Sequence, residues 1–169
     1  LDSLPEKHPL VSERVERNRA YRAAGSKNSD RLKLVGTPHL FRDTNNPANY
    51  ILVPSVSSER REYVPIGFLN GETISTNLNQ TIPNATLYEF GILTSAMHND
   101  WMRTVAGRLK SDYRYSGTLV YNTFPWPKAD EAEKARIAAL AEDILLIRAD
   151  YPDQTLAQLY DPDKMPPPL

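Results

Sequence analysis

At 169 residues the chain is long enough for one domain with a buried core, or for one domain and an appendage. Its 40% hydrophobic and 24% charged residues describe a globular protein, and no apolar run is long enough to span a bilayer. There is no cysteine, which excludes a disulfide framework and a thiolate metal site. The start carries no signal-peptide pattern, so the sequons at Asn79 and Asn84 read as chance matches and the expected compartment is the cytoplasm. A net charge of −1 hides an asymmetry. Residues 1–128 carry 16 basic and 12 acidic side chains, whereas residues 129–169 carry 4 basic and 9 acidic ones. A basic body with an acidic tail suggests that one part meets an anion and the other does not.

In chain order, Leu1 in place of Met reads as the start of a piece of a longer protein. Pro5 and Pro9 predict an extended lead-in. Ser12 is a candidate cap for a helix over 13–24, rich in Arg14, Arg17, Arg19 and Arg22. Gly25 and the Ser/Asn/Asp stretch behind it are expected to end that helix. From Thr37 to Pro83 the pattern is mostly strand, with β-rich runs at Asn49–Val56, Tyr63–Leu69 and Thr73–Ile82. Asn70-Gly71 is the strongest hairpin signal in the chain.

A single helix is predicted over Thr86–Ala106, with Asn84 as its N-cap and Gly107 as its C′ glycine. Leu87, Phe90, Leu93, Met97, Trp101 and Val105 would form its apolar stripe, which is read as core packing. Gly107–Ser116 reads as a basic, aromatic loop, and Thr118–Thr123 as a strand. Phe124-Pro125-Trp126-Pro127 marks a boundary. Asp130 and Glu133 look like a capping box for a one-sided helix to about Ala149, and a short helix follows around Leu156–Tyr160. The expected fold is α+β: a mixed, mainly antiparallel sheet of short strands packed by a long helix, with a C-terminal helical extension. The expected division is 1–30 as a helical lead-in, 31–128 as the main domain and 129–169 as the extension.

The familiar catalytic patterns are missing. None of the seven lysines has an acidic residue two positions before it, as a metal-dependent nuclease of the common restriction type requires. Asn46-Pro47-Ala48 is the nearest string to an adenine-methyltransferase motif and fails it. There is no phosphate-cradling Gly-rich loop and no nucleophile elbow. His8, His39 and His98 lack metal-ligand spacing. The chain is expected to catalyse nothing by itself and to hold no cofactor.

Two segments combine positive charge, short polar side chains and aromatics: 55–63, with Ser57, Ser58, Arg60 and Arg61, and 108–116, with Arg108, Lys110, Asp112, Tyr113 and Arg114. Such side chains hold phosphates and address base edges. The plain alternative is a solvated polar loop with ordinary ion pairs. Lys110 and Asp112 bracket Ser111, and in an extended loop their side chains would point the same way. Lys could donate to guanine and Asp accept from the paired cytosine, a discrimination of roughly 1–3 kcal/mol. A local Lys–Asp ion pair, worth about 0–1 kcal/mol, is the bland reading.

Several strings resemble MmeI-like restriction-modification enzymes: residues 60–68 (RREYVPIGF), Ile82-Pro83-Asn84-Ala85, residues 90–95 (FGILTS), residues 106–116 (AGRLKSDYRYS), residues 120–127 (VYNTFPWP) and residues 156–162 (LAQLYDP). The resemblance covers most of the chain from about Leu34 onward. It implies the DNA target-recognition domain of a fused nuclease and adenine-N6 methyltransferase (type IIG/IIL). The expected partners are double-stranded DNA and the methyltransferase and nuclease domains of the same parent, with no membrane. S-adenosylmethionine and Mg2+ would be used by the rest of that parent. Lys110 and Asp112 would read the base pair beside the methylated adenine, with Asn77 and Asn79 as further base-reading candidates. Arg60, Arg61, Arg103, Arg108, Arg114, Ser57, Ser58 and Tyr113 would hold phosphates. The rival reading is a protein-interaction module using the Phe124–Pro127 surface and the apolar helix over 137–147.

Overall fold

Pro9 opens the first long helix. The computed structural model describes residues 4–25, 30–42 and 46–169, and the chain divides into two units between Asn45 and Asn46. In the first unit a helical turn, α1 (Leu4–Lys7), precedes α2 (Pro9–Ala23), and α3 (Asp30–Lys33) follows. The expected extended lead-in is therefore helical. A proline in the first helical turn gives up an N–H that has no intrahelical partner, and its φ already suits the helix. His8 is the N-cap and offers no side-chain bond, while Ser12 lies within α2 instead of capping it. The polar stretch expected to end α2 falls on residues 26–29, outside the described residues. Three of the four arginines of α2 are spent locally. Arg22 donates to the carbonyls of Leu34, Thr37 and Leu40 at 3.0, 2.7 and 2.7 Å, and Arg17 and Arg19 pair with Glu13 and Glu16.

In the second unit the most apolar strand takes the centre. Tyr50, Ile51 and Val53 of β1 (Asn49–Pro54) are at most 1% exposed, so both faces of the strand are covered. β3 (Gly67–Asn70) and β4 (Asn79–Pro83) flank it, both antiparallel. Because β1 lies between them, Asn70-Gly71 does not close a hairpin. The Gly71 N–H donates to Ala48 at 2.8 Å, and the chain crosses the end of β1 to reach β4. The register and burial of β1 overrode the local turn signal. Ser55 carries the chain from this sheet into a second one, β2 (Val56–Ser57), β6 (Asp112–Arg114) and β5 (Gly107–Leu109), in that order and antiparallel. Gly107–Ser116 is thus a β-hairpin followed by its exit, not a loop. Gly107 opens β5 without a left-handed φ, instead of serving as a helix C′ residue.

The single helix expected over Thr86–Ala106 is two helices, α4 (Leu87–Thr94) and α5 (Ala96–Val105). Thr94 and Ser95 turn their hydroxyls onto the carbonyls of Phe90 and Ile92 at 2.8 and 2.6 Å. Short polar side chains compete with the helical ladder in this way. Ser95 is extended (ψ 152°) and its Oγ accepts from the His98 N–H, capping α5. The break rotates the buried face. Met97, predicted in the apolar stripe, is 65% exposed, while His98, Asn99 and Met102 are buried. Thr86 caps α4 through a capping box with Glu89; Asn84, the expected cap, stands before it with a φ of 55°.

The strand expected over Thr118–Thr123 is a π-helical turn, Gly117–Tyr121. Coiling puts Val120 and Phe124, four residues apart, on one buried face, and Trp101 donates its indole N–H to the Val120 carbonyl at 3.2 Å. A strand would have sent its side chains alternately inward and outward. α6 (Glu131–Ala149) starts at the expected Asp130–Glu133 capping box and lies along α4. Gly91 permits that approach, since an added Cβ would stand 2.8 Å from Ile137 Cγ2. The last helix is α7 (Leu156–Leu159), capped by Thr155 and Gln158.

One cation ties the end of the chain to the rest. Arg148, in α6, is 9% exposed and has no carboxylate partner among the described residues. It donates to the Ile66 carbonyl at 2.9 Å and twice to the Tyr160 hydroxyl, at 3.1 and 2.5 Å. Its guanidinium also lies 5.2 Å from the centre of the Phe90 ring and 4.9 Å from that of Tyr160. Arg148→Ala strips three bonds from two buried acceptors, so a loss of roughly 3 kcal/mol is expected. Arg148→Met preserves the packing of the stem and is expected to lose less. Urea denaturation of both variants checks the order.

Candidate nucleic-acid interface

The centre of the candidate interface is the β5–β6 hairpin. Leu109 pairs with Asp112, which leaves Lys110-Ser111 as a two-residue turn. Lys110 sits at φ 57°, in the left-handed region, so the tip is tightly turned and not extended as expected. Lys110 is exposed at the tip and Asp112 is half-buried at the start of β6. They therefore occupy a turn position and a strand position, and the argument that both side chains follow one extended direction does not hold.

The neighbouring loop braces the hairpin. The Glu59 N–H points at Asp112 Oδ1 at 3.4 Å, a long hydrogen bond, and the Glu59 carboxylate lies 3.7 Å from Arg108 Nη1. Arg108 also donates to the Ser111 carbonyl at 2.6 Å and lies over the Tyr113 ring, 3.8 Å from its centre. The face thus alternates in charge: Lys110 and Arg114 are exposed, and Arg108 lies between a carboxylate and an aromatic ring. Arg114 is exposed and has no ion-pair partner among the described residues.

The remaining sequence candidates divide. Ser58 is half-buried, but Ser57 is 4% exposed with its hydroxyl enclosed and unpartnered, and Tyr113 is 9% exposed. Neither of those hydroxyl-bearing residues presents a free surface to a phosphate; Tyr113 serves as the platform for Arg108. Arg60 pairs with Asp163 at 2.8 Å, and Arg61 donates to the Ala157 carbonyl at 3.4 Å. Arg103 pairs with Asp100 at 2.7 Å and donates to the Glu62 carbonyl. Three expected phosphate ligands are thus engaged within the protein. Asn77 is exposed in the approach to β4, and Asn79 begins that strand in register with Pro54. Asn79 lies in the other sheet from Asp112, and Asn77 stands two residues before that strand. Between β4 and the segment from Tyr115 through the π-helical turn, an open cleft of about 580 Å³ is lined by Gln80, Ile82, Tyr115, Thr118 and Asn122 among others.

Ser55 joins the two sheets. Its N–H donates to Leu78, its carbonyl accepts from the Tyr115 N–H at 2.9 Å, and its hydroxyl accepts from Gln80. Tyr115 is held in turn by His98, with Nε2 3.0 Å from the phenol oxygen, and the His98 ring meets Phe124 edge-on at 4.6 Å. Burial lowers the His98 pKa from 6.5 to about 4 and pushes the Tyr115 hydroxyl up. The sequence offered no sign of this pair, because a lone histidine acquires a partner only through folding. Glu59 could have been noticed as the acidic residue before two arginines. Among the described residues no group of three or more metal-ligating side chains comes together.

An α+β unit that presents a charged hairpin and is clasped by a helical tail has the form of a recognition module. Comparison with known families agrees. The models of the MmeI target recognition domain and the MmeI C-terminal domain match residues 3–128 and 129–169, and the chain belongs to the MmeI target recognition domain family. It is 46% identical over 162 residues to DNA methyltransferase A of Bacillus subtilis (strain 168), covering 94% of this chain and 18% of that protein. A solved structure, described as the type IIL restriction-modification enzyme MmeI in complex with DNA, aligns with a TM-score of 0.87 at 43% identity, over 95% of this chain and 21% of the other. The chain therefore spans about a fifth of the length of each.

The buried histidine makes stability depend on pH. Its folded pKa lies below the unfolded value, so the unfolded state binds the extra proton first. Its contribution is complete above about pH 6.5 and is lost as pH falls toward 4. The loss is expected to reach about 3 kcal/mol. Denaturant midpoints measured between pH 7.5 and 4 should show it, and His98→Gln should remove this component.

Proposed function

We propose that the chain reads DNA sequence for a longer protein that is both an adenine-N6 methyltransferase and a restriction endonuclease. Family membership carries the reading, and the exposed hairpin supplies a chemistry for it. Lys110 offers a donor suited to guanine acceptors, and Asp112 an acceptor suited to a cytosine amino group. Together they address one G·C pair in the major groove, beside the adenine that is methylated. Asn77 and Asn79, before and at the start of β4, address further bases. Arg114 neutralises phosphate, as do Arg60 and Arg108 once they leave their present partners; Arg61 and Arg103 would join them only on leaving the Ala157 and Glu62 carbonyls, and Ser58 is half-buried. Ser57 and Tyr113 act by supporting the hairpin from within.

The chemistry belongs to other parts of the longer protein. S-adenosylmethionine and Mg2+ are assigned to those parts. The reading is assigned to residues 31–128, with 1–30 as a helical lead-in and 129–169 as a helical clasp, although the compact units divide between Asn45 and Asn46. As a protein-interaction module the chain has less to offer. Phe124 is buried against His98, and Trp126 packs edge-on against Phe124 at 5.6 Å, so that surface is used internally.

The test is the pattern of N6-methyladenine in host DNA, read with the unaltered full-length protein and with Lys110→Asp/Asp112→Lys together. The expected result is a motif altered only at the pair next to the methylated adenine. A correct contact pair separates right from wrong base by roughly 1–3 kcal/mol, enough to change which sites are modified. An unchanged motif would reduce the two residues to a surface feature.

A further inference from the structure

In the second unit, the ion pairs among the described residues fall into two kinds. Arg103–Asp100 and Lys134–Glu131 are three residues apart on one helix and follow from helical spacing. Arg60–Asp163 and Arg108–Glu59 join segments distant in sequence, and both lie on the charged surface around the hairpin. In each, an arginine suited to phosphate is met by a carboxylate of the same chain. Neither pair is locked: side-chain exposure is 65% and 67% in the first, 45% and 49% in the second.

We propose that Glu59 and Asp163 are built-in counter-anions of this surface, holding Arg108 and Arg60 in the free protein and giving way to DNA phosphates. A carboxylate and a phosphate offer the guanidinium fork the same kind of oxygen acceptors. Water reaches both pairs, and exposed pairs contribute little stability, so exchange is easy. The consequence falls on specificity. An arginine that arrives with its own carboxylate neutralises a phosphate only when that carboxylate withdraws. The displaced carboxylate then attracts a cation, which offsets the ions released from DNA. Phosphate contacts carry no sequence information, so weakening them suppresses binding to any DNA while leaving base contacts intact. Glu59 does a second service, because its N–H turns toward Asp112 and orients the residue assigned to a base.

The proposal rests on the DNA-recognition reading, and the experiment separates the two. Full-length protein would be titrated with a random-sequence duplex at several salt concentrations. Glu59→Gln and Asp163→Asn remove charge at nearly constant size. Each is expected to tighten binding at low salt and to steepen the plot of log affinity against log salt by about 0.9, one phosphate's worth. In Arg108→Gln and Arg60→Gln backgrounds respectively, that steepening is expected to vanish. Equal thermal midpoints would exclude a folding effect. Unchanged slopes in a protein that binds DNA, or steepening that survives loss of the arginine, would overturn the counter-anion role alone. No salt-dependent binding by the unaltered protein would overturn both readings.

Discussion

The buried guanidinium of Arg148 is the constraint on which the second unit depends. A charge is kept from water with no anion beside it among the described residues, which is tolerable only if its N–H groups find acceptors and its faces find π electrons. Ile66 and Tyr160 provide the former, Phe90 and Tyr160 the latter. The acceptors come from the lead into β3 and from the end of α7, and Phe90 comes from α4. One side chain of α6 therefore requires the sheet, the central helix and the tail to be in place together. The core around it, with Ile51, Val53, Phe90 and Ala141 all sealed, supplies the non-directional part of the stability.

That clasp determines what the surface can do. Because the tail returns to the sheet, Asp163 reaches Arg60 and the Ala157 carbonyl reaches Arg61. The loop so held supplies Glu59 to the hairpin. The basic body and acidic tail are thus connected directly, with the tail's carboxylates quenching part of the body's positive charge. Arginine count is a poor guide to available charge here. Arg22, Arg61, Arg103 and Arg148 are all donating to main-chain carbonyls, and only a few cations around the hairpin remain to meet a ligand.

What could be read in advance follows the range of the interaction involved. The Asp130–Glu133 box is legible because capping is settled within four residues. The hairpin region stood out by its residue types, and its strings pointed to the right family. The break at Ser95 was missed because the apolar spacing continued across it, while two hydroxyls turned onto the backbone. Asn70-Gly71 misled because a turn signal states that the chain reverses and says nothing of which strand comes next to it. Lys110 and Asp112 stand out in the sequence by residue type, but the shared side-chain direction expected of them needs an extended loop, and the chain makes a tight turn there.

Local sequence dictates an α+β protein with short strands and a capped C-terminal helix, a chain that lacks the familiar catalytic motifs, and charge gathered in two segments. These properties reside in local patterns and in residue chemistry. The tertiary structure alone decided which arginines are free, which hydroxyls are sealed inside, that β1 separates β3 from β4, and that His98 meets Tyr115. Each of those depends on two groups far apart in the chain competing for the same space or the same hydrogen bond. That competition is resolved only when the core closes and water is excluded.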